Sequence, residues 1–235
     1  MYGPLEMPFH MELPTGDVVI KKVRGCLLYN RTTPKKTIEK RIMIKKGTIY
    51  LSPVEPINTP KFLTPNLMIE LKRTLFIPPK ENKKVYLRFP VEIGVIVRNG
   101  KNEKLVDVFA KNPPKYTLYG DVRTGTICRY YLSNLSLKVP KTDIGSEGVI
   151  EVSIRNQTNE WREISKLVFL GTLMKIYYSE DLVSMKALVK VTDDDMAETK
   201  FIDQPIRDGQ KRAFETLPTK NKKMIPQRYV MEGGY

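Results

Sequence analysis

The sequence contains few of the side chains from which metal centres and disulfide frameworks are built. Its 235 residues include two cysteines, one histidine and one tryptophan. Cys26 and Cys128 each lie inside an apolar run and not in a spaced cluster, which predicts buried free thiols. The single histidine, His10, excludes His-rich zinc sites, and any His-based triad would depend on it alone. The sequence therefore predicts no metal site and no cofactor.

Long apolar stretches are missing as well. A transmembrane helix needs about 20 predominantly apolar residues, and no run in this sequence approaches that length. Residues 1–16 lack the basic region and apolar core of a signal peptide. Amphipathic helical patterns are no longer than about two turns. We therefore expect a cytoplasmic protein with minimal helix and no transmembrane segment.

Acidic residues are outnumbered by basic ones. The chain has 40 Lys and Arg residues against 26 Asp and Glu residues, a formal net charge of +14. This imbalance favours a polyanion as partner, either nucleic acid or an anionic membrane surface, or an acidic protein. The alternative interpretation is a surface rich in charge that serves stability alone.

Alternation of apolar and polar residues is the pattern that the sequence does have. Val85 to Val97 carries seven apolar residues at period two, which predicts one long strand in a firm register. Pro90 and Gly94 predict a bend within it. Asn99-Gly100 predicts a hairpin turn to a partner strand. The other strands are predicted at Asp17–Val23, Cys26–Arg31, Thr37–Lys46, Thr48–Leu51, Leu67–Ile77, Lys104–Ala110, Tyr116–Leu118, Ile127–Val139, Gly148–Arg155, Ile164–Leu170, Met174–Tyr178 and Leu182–Val191.

These strands predict an all-β protein of antiparallel sheets in a β-sandwich architecture. Roughly a dozen strands exceed the seven to nine of one immunoglobulin-like sandwich. We therefore expect two packed β lobes, residues 1–112 and 113–203, with one large sandwich as the alternative. Alternation fades in residues 204–235, where we expect a basic, poorly structured tail with at most a weakly helical piece at Gln210–Glu215.

The candidate binding surface lies in Lys115–Tyr131, which reads KYTLYGDVRTGTICRYY. Its candidate residues are Tyr116, Tyr119, Arg123, Arg129, Tyr130 and Tyr131. Tyrosines and arginines on a sheet can stack on bases and contact phosphates, and they also dominate protein interfaces. Alternatively, they are ordinary core and cross-strand residues. Near Tyr130, apolar and aromatic residues lie on both faces of the predicted strand, which indicates that both faces are covered. Arg129 should then have a partner.

Catalytic motifs are weak. Glu92, Asp107 and Asp121 could serve acid and base chemistry, but no spacing places them together. Asp193-Asp194-Asp195 lacks the glycine and distal glutamate of a calcium loop and is typical of a solvated turn. Whether the protein is an enzyme is therefore left open, with a non-catalytic role favoured.

Four segments, LRFPVEIGVIV, DVFA, KYTLYG and GTICRYY, resemble an uncharacterised archaeal family of domains of unknown function. The resemblance covers Tyr2 to about Asp203 and leaves the basic tail outside. In some members a similar domain is attached to a small-conductance mechanosensitive channel, which implies an accessory or sensing role near a membrane. This sequence has no channel segment, so any link to a membrane would run through a partner.

Together these observations favour a cytoplasmic β-sandwich binding module that contacts a polyanion or an acidic partner through a basic and aromatic surface. One alternative is a protein-interaction or accessory domain beside a membrane channel. Another is an enzyme with acidic catalytic residues. A homo-oligomer is compatible with each of them.

Overall fold

A computed structural model describes residues 1–14, 16–44, 47–61, 63–193 and 196–217, together with the backbone of residues 227–230. The all-β prediction is confirmed, since the described residues form nineteen strands and one short 3-10 turn at Gly171–Leu173. The strands are β1 (Gly3–Pro4), β2 (Phe9–Leu13), β3 (Gly16–Val23), β4 (Cys26–Thr33), β5 (Lys36–Ile42), β6 (Thr48–Val54), β7 (Asn66–Ile77), β8 (Asn82–Pro90), β9 (Glu92–Asn99), β10 (Asn102–Phe109), β11 (Tyr116–Tyr119), β12 (Thr126–Ser133), β13 (Glu147–Asn156), β14 (Arg162–Leu170), β15 (Tyr177–Tyr178), β16 (Val183–Val191), β17 (Met196–Ile202), β18 (Lys211–Arg212) and β19 (Gln227–Val230). None of the helical structure in these ranges is long and apolar enough to cross a membrane.

The strands form four sheets. The first has the order β1-β6-β9-β10, and the second is the meander β2-β3-β4-β5. The third has the order β11-β12-β7-β14, and the fourth has the order β18-β15-β16-β13-β8, with β17 paired to β16 and β19 paired to β17. Most pairs are antiparallel, as predicted, but β12 pairs with β7 and β13 pairs with β16 in parallel. Parallel pairs need long crossovers, which alternation along a single strand does not reveal.

Two hydrophobic cores lie between these sheets. The first core packs the first sheet against the second, through residues such as Ile20, Tyr29 and Ile93. The second core packs the third sheet against the fourth, through residues such as Leu67 and Phe89. The division into lobes at residue 112 stays a prediction. Strands β7 and β8 contribute to the second core although they precede that residue.

The long alternating run is not one strand. It divides at Val91 into β8, which pairs with β13 in the fourth sheet, and β9, which lies between β6 and β10 in the first. The predicted bend at Pro90 is thus a complete change of sheet. Alternation continues across the break because Phe89 faces the second core and Ile93 faces the first, so both need apolar side chains.

Several predicted boundaries are also wrong. The strand expected from Ile127 to Val139 ends at Ser133, and β17 at Met196–Ile202 was not predicted. Gln210–Glu215 contains strand β18 and no helix, because Ala213 donates its backbone N–H to the carbonyl of Ile176 at 2.9 Å. Cys128 is buried as predicted. Cys26 is only half-buried, at the β3–β4 turn, where its thiol lies 3.0 Å from the Val23 carbonyl.

Three predicted features lie partly outside the described residues. These are the end of the strand expected at Thr37–Lys46, the aspartates 194 and 195, and most of the basic tail after residue 217.

Candidate anion-binding cleft

Strands β11 and β12 form a hairpin that carries all six candidate residues. The connecting turn is closed by Asp121, whose carbonyl accepts the N–H of Gly125 at 2.6 Å and whose carboxylate accepts the N–H of Arg123 at 2.8 Å. Arg123 is exposed at this turn. It therefore lies apart from the residues on the strands.

The five strand residues occupy two opposite faces. Tyr116 lies opposite Arg129 in the antiparallel register, and Tyr131 follows Arg129 by two positions, so these three side chains share one face. Tyr119 and Tyr130 lie on the other. The six candidate residues therefore do not form one continuous platform.

The outer face of the hairpin is covered by a small apolar cluster. Tyr119 and Tyr130 pack against Met68, Cys128 and Val168. Burial raises the pKa of the Cys128 thiol to about 11, which makes it a poor nucleophile at neutral pH. On the inner face, Arg129 lies beside Leu67 of β7 and is only 4% exposed. The prediction that β12 is covered on both faces is confirmed at Cys128 and Arg129.

The guanidinium of Arg129 is incompletely satisfied. Its carbon Cζ lies 5.5 Å from the centroid of the Tyr116 ring, a cation–π contact. Its atoms Nε and Nη1 are buried and have no hydrogen-bond partner among the described residues. These two atoms carry three of the five N–H donors of an arginine. Buried polar groups are nearly always paired, so three unmet donors are unusual.

A buried carboxylate lies close to this arginine. Glu92, at the start of β9, is fully buried, and its Oε2 accepts the backbone N–H of Asn58 at 2.9 Å. Its Oε1 accepts the hydroxyl of Thr59, whose carbonyl in turn accepts the hydroxyl of Tyr116. Burial raises the pKa of Glu92, while these hydrogen bonds and the charge of Arg129 oppose the rise. The loop at residues 58–59 thus holds Glu92 from one side and Tyr116 from the other.

A cleft of about 490 Å³ opens beside Arg129. It forms because β11 cannot extend its pairing with β12 toward its own N-terminus. The last bond runs from the N–H of Tyr130 to the carbonyl of Lys115 at 2.9 Å, and Pro113-Pro114, which have no N–H, come before it. The lining residues are Pro90, Val91, Asn112, Pro113, Pro114, Lys115, Arg129, Tyr130, Tyr131, Leu132, Ser146 and Glu147.

The carboxylate that lines the cleft already has partners, whereas the lysine at its rim has no ion pair among the described residues. Glu147, the acidic residue of the lining, accepts the hydroxyl of Tyr131 and lies 3.9 Å from Nε of Arg88. Burial raises the pKa of Tyr131, and the hydrogen bond to Glu147 raises it further. Lys115 is exposed at the rim, and no ion pair engages it within the described chain. The cleft therefore offers the charge of Lys115 at its rim, Arg129 buried in its wall, and a carboxylate that is already occupied.

The other carboxylates proposed for catalysis lie elsewhere. Asp107 accepts the hydroxyl of Tyr29 and Nε of Arg31, each at 2.6 Å, on the side of the first core. Asp121 is exposed in its turn. Of the three, Glu92 alone lies near Arg129. Within the described ranges no group of three or more His, Cys, Asp or Glu residues could hold a metal ion.

A second buried carboxyl fixes the segment that follows β18. Glu55 is 3% exposed, and its Oε2 accepts the hydroxyl of Thr216 at 2.9 Å and the N–H of Thr216 at 3.3 Å. Burial raises the pKa of Glu55 to about 7. Next to it, the buried Lys175 forms an ion pair of 2.9 Å with Glu215. Sequence reasoning missed this network, since its members are scattered along the chain.

Comparison with known protein families identifies the family of the chain. A family model described as a protein of unknown function, DUF432, matches residues 1–232. The match includes the C-terminal segment, which we had expected to lie outside the family. No curated protein and no solved structure matches the chain.

Proposed function

The chain belongs to the DUF432 family, and because that family has no assigned activity we propose a function from the geometry of the cleft. We propose that the protein is a binding module that receives an anionic group, a carboxylate or a phosphate, beside Arg129. The cytoplasmic location and the accessory role beside a membrane channel stay predictions.

The observation that carries this proposal is the unmet hydrogen-bonding capacity of Arg129. Leaving a buried charged donor unpaired costs about 1–3 kcal/mol or more. A bound anion would remove that cost by supplying acceptor oxygens and a compensating charge. Because Nε and Nη1 are covered by protein atoms, binding requires the guanidinium to turn toward the cleft. The flexible side chain of arginine permits such a rotation.

The surroundings of Arg129 favour an anion over a cation. Lys115 adds a second positive charge at the rim, and Glu147 is held by Tyr131 and Arg88. The net charge of +14 adds a long-range attraction for acidic partners. A cleft of about 490 Å³ is of the size that small ligands occupy. It suits a small anion or one acidic group of a partner.

Thermal unfolding tests the proposal. The protein is heated in phosphate, sulfate, succinate or chloride at one fixed ionic strength, so that general salt effects cancel. One of the polyvalent anions should raise the melting temperature saturably, because a ligand at 100 times its Kd stabilises the native state by about 2.7 kcal/mol. Phosphate and succinate distinguish the two classes of anion.

Two variants make the test specific. Arg129→Gln should abolish the anion-dependent rise, whereas Arg123→Gln, which removes the same charge from the exposed turn of the same hairpin, should preserve it. Arg129→Lys keeps the charge but loses the planar fork, and we expect weakened binding. Equal loss in Arg123→Gln and Arg129→Gln, or shifts that follow ionic strength alone, would contradict the proposal.

A further inference from the structure

A further cleft lies at the edge of the first core, away from Arg129. It has a volume of about 720 Å³, within the range of ligand pockets. It opens where the β3–β4 turn approaches the start of β6. Arg24 and Gly25 both have positive φ there, 38° and 81°, as a tight two-residue hairpin turn requires.

Six of the ten described residues that line this cleft have apolar side chains, and some of these stay partly exposed. Leu27 and Ile49 belong to the first core and are buried. Leu5, Met7 and Ile44 pack against that core but remain only partly buried, and all three line the cleft. Covering such exposed apolar surface with an apolar ligand lowers the free energy of the system. Unlike a flat patch, the cleft offers such a ligand walls on more than one side.

Among the described residues that line this cleft, one is a cation. Lys22 is exposed, and it has no hydrogen bond or ion pair with any described residue. The part of the lining that the structure describes contains no acidic side chain. A lysine can lay its apolar stem along the wall of such a cleft while its ammonium group stays at the mouth. The ligand that matches both features has an apolar body and a negatively charged end.

We propose that this cleft binds a single-chain amphiphile with an acidic head, such as a long-chain carboxylate. The chain lies against Leu5, Met7 and Ile44, and the carboxylate lies at the mouth beside Lys22. This site is separate from the Arg129 cleft, so it stands or falls independently of the function proposed above. A bare anion would gain nothing from the apolar walls, and a neutral chain would leave Lys22 unpaired.

Calorimetric titration with dodecanoate, dodecanol and dodecyltrimethylammonium tests the ligand class, with the two ions kept below their micelle-forming concentrations and dodecanol below its solubility limit. We expect dodecanoate to bind saturably at one site, dodecanol more weakly, and the cationic analogue weakest. Affinity should fall by up to about fourfold for each methylene removed between dodecanoate and octanoate. Equal affinity for the three head groups, or the absence of saturable binding, would overturn the proposal.

Lys22→Gln and Lys21→Gln form a matched pair. They remove the same charge at adjacent positions of β3, whose side chains point to opposite faces, and only Lys22 lines the cleft. Lys22→Gln should weaken dodecanoate binding roughly fivefold and leave dodecanol unchanged. Lys21→Gln should alter neither. If both variants weaken dodecanoate binding equally, the effect comes from the net charge of the protein, and the role of Lys22 is refuted.

Thr48→Trp provides a test that does not depend on charge. Thr48 is exposed at the rim, so an indole there should block the cleft without disturbing the core. Dodecanoate affinity should fall at least tenfold, while the anion-dependent melting shift assigned to Arg129 should persist. A concentration-dependent dimer that Thr48→Trp disperses, together with no dodecanoate binding, would assign the cleft to a second copy of the chain and overturn the proposal.

Discussion

Replacing Glu55 with glutamine should change how the stability of the protein depends on pH. Burial raises the pKa of Glu55 from 4.5 to about 7, and the hydrogen bonds from Thr216 only partly oppose that rise. The native state therefore keeps this proton between about pH 4.5 and 7, where the unfolded chain has released it. The free energy of unfolding must fall as pH rises through that window and level off above it.

The magnitude follows from the size of the shift. A change of one pKa unit corresponds to about 1.36 kcal/mol. A rise from 4.5 to about 7 therefore removes about 3 kcal/mol of stability between the two ends of the window. Glu55→Gln is neutral at every pH and can still accept the bonds from Thr216. Its stability should lack this component.

Urea unfolding at intervals from pH 4 to 8.5, followed by circular dichroism, measures the effect. The informative quantity is the difference in unfolding free energy between Glu55→Gln and the wild type, because other titrating groups cancel in it. This difference should shift in favour of the variant by about 3 kcal/mol as pH rises. Glu163→Gln, at an exposed position of β14, should show no such trend. A difference that stays constant across the window would refute the assignment of the buried proton to Glu55.

Two further substitutions test how the second core and its edges are held. The side-chain amide of the buried Asn156 donates to the carbonyls of Ile77, Pro78 and Glu160 at 2.7–3.1 Å. Because Asn156→Ala leaves all three carbonyls without that donor, it should lower the free energy of urea unfolding by about 2–3 kcal/mol. An unchanged midpoint would contradict this role. Gly148→Ala should cost about 1–3 kcal/mol in the same assay, because the new methyl group would lie 2.5 Å from the ring of Phe89. A stabilised variant would show that the ring moves freely.

Alternation predicted most of the strands because each sheet has one face on a core. It could not predict which strands pair. The run through Pro90 shows why, since the pattern is the same whether the chain continues in one sheet or crosses from the second core to the first. Parallel pairing of β7 with β12 is similarly hidden, because it joins segments about 60 residues apart and leaves no mark on either one.

The candidate site was predictable in part for the same reason. Apolar residues on both faces of β12 predicted a buried Arg129. They could not place Glu92 or the loop at residues 58–59 beside it, because those residues reach the site through the first sheet. The segment that ends at Thr216 was assigned to a tail because its ladder is only the two residues of β18, and its other bonds go to Ser52, Glu55 and Ile176. Such a segment shows no alternation although it is well anchored.

The charges of Glu92 and Arg129 act on each other across two sheets. Glu92 lies on β9 in the first sheet, and Arg129 lies on β12 in the third. Glu92 is fully satisfied by Asn58 and Thr59, so it does not need Arg129 as a hydrogen-bond partner. Arg129 differs, because it interacts with the charge of Glu92 while its Nε and Nη1 have no hydrogen-bond acceptor among the described residues. A structural ion pair would normally satisfy both members. The asymmetry is the physical reason for assigning the carboxylate to the architecture and the arginine to a ligand.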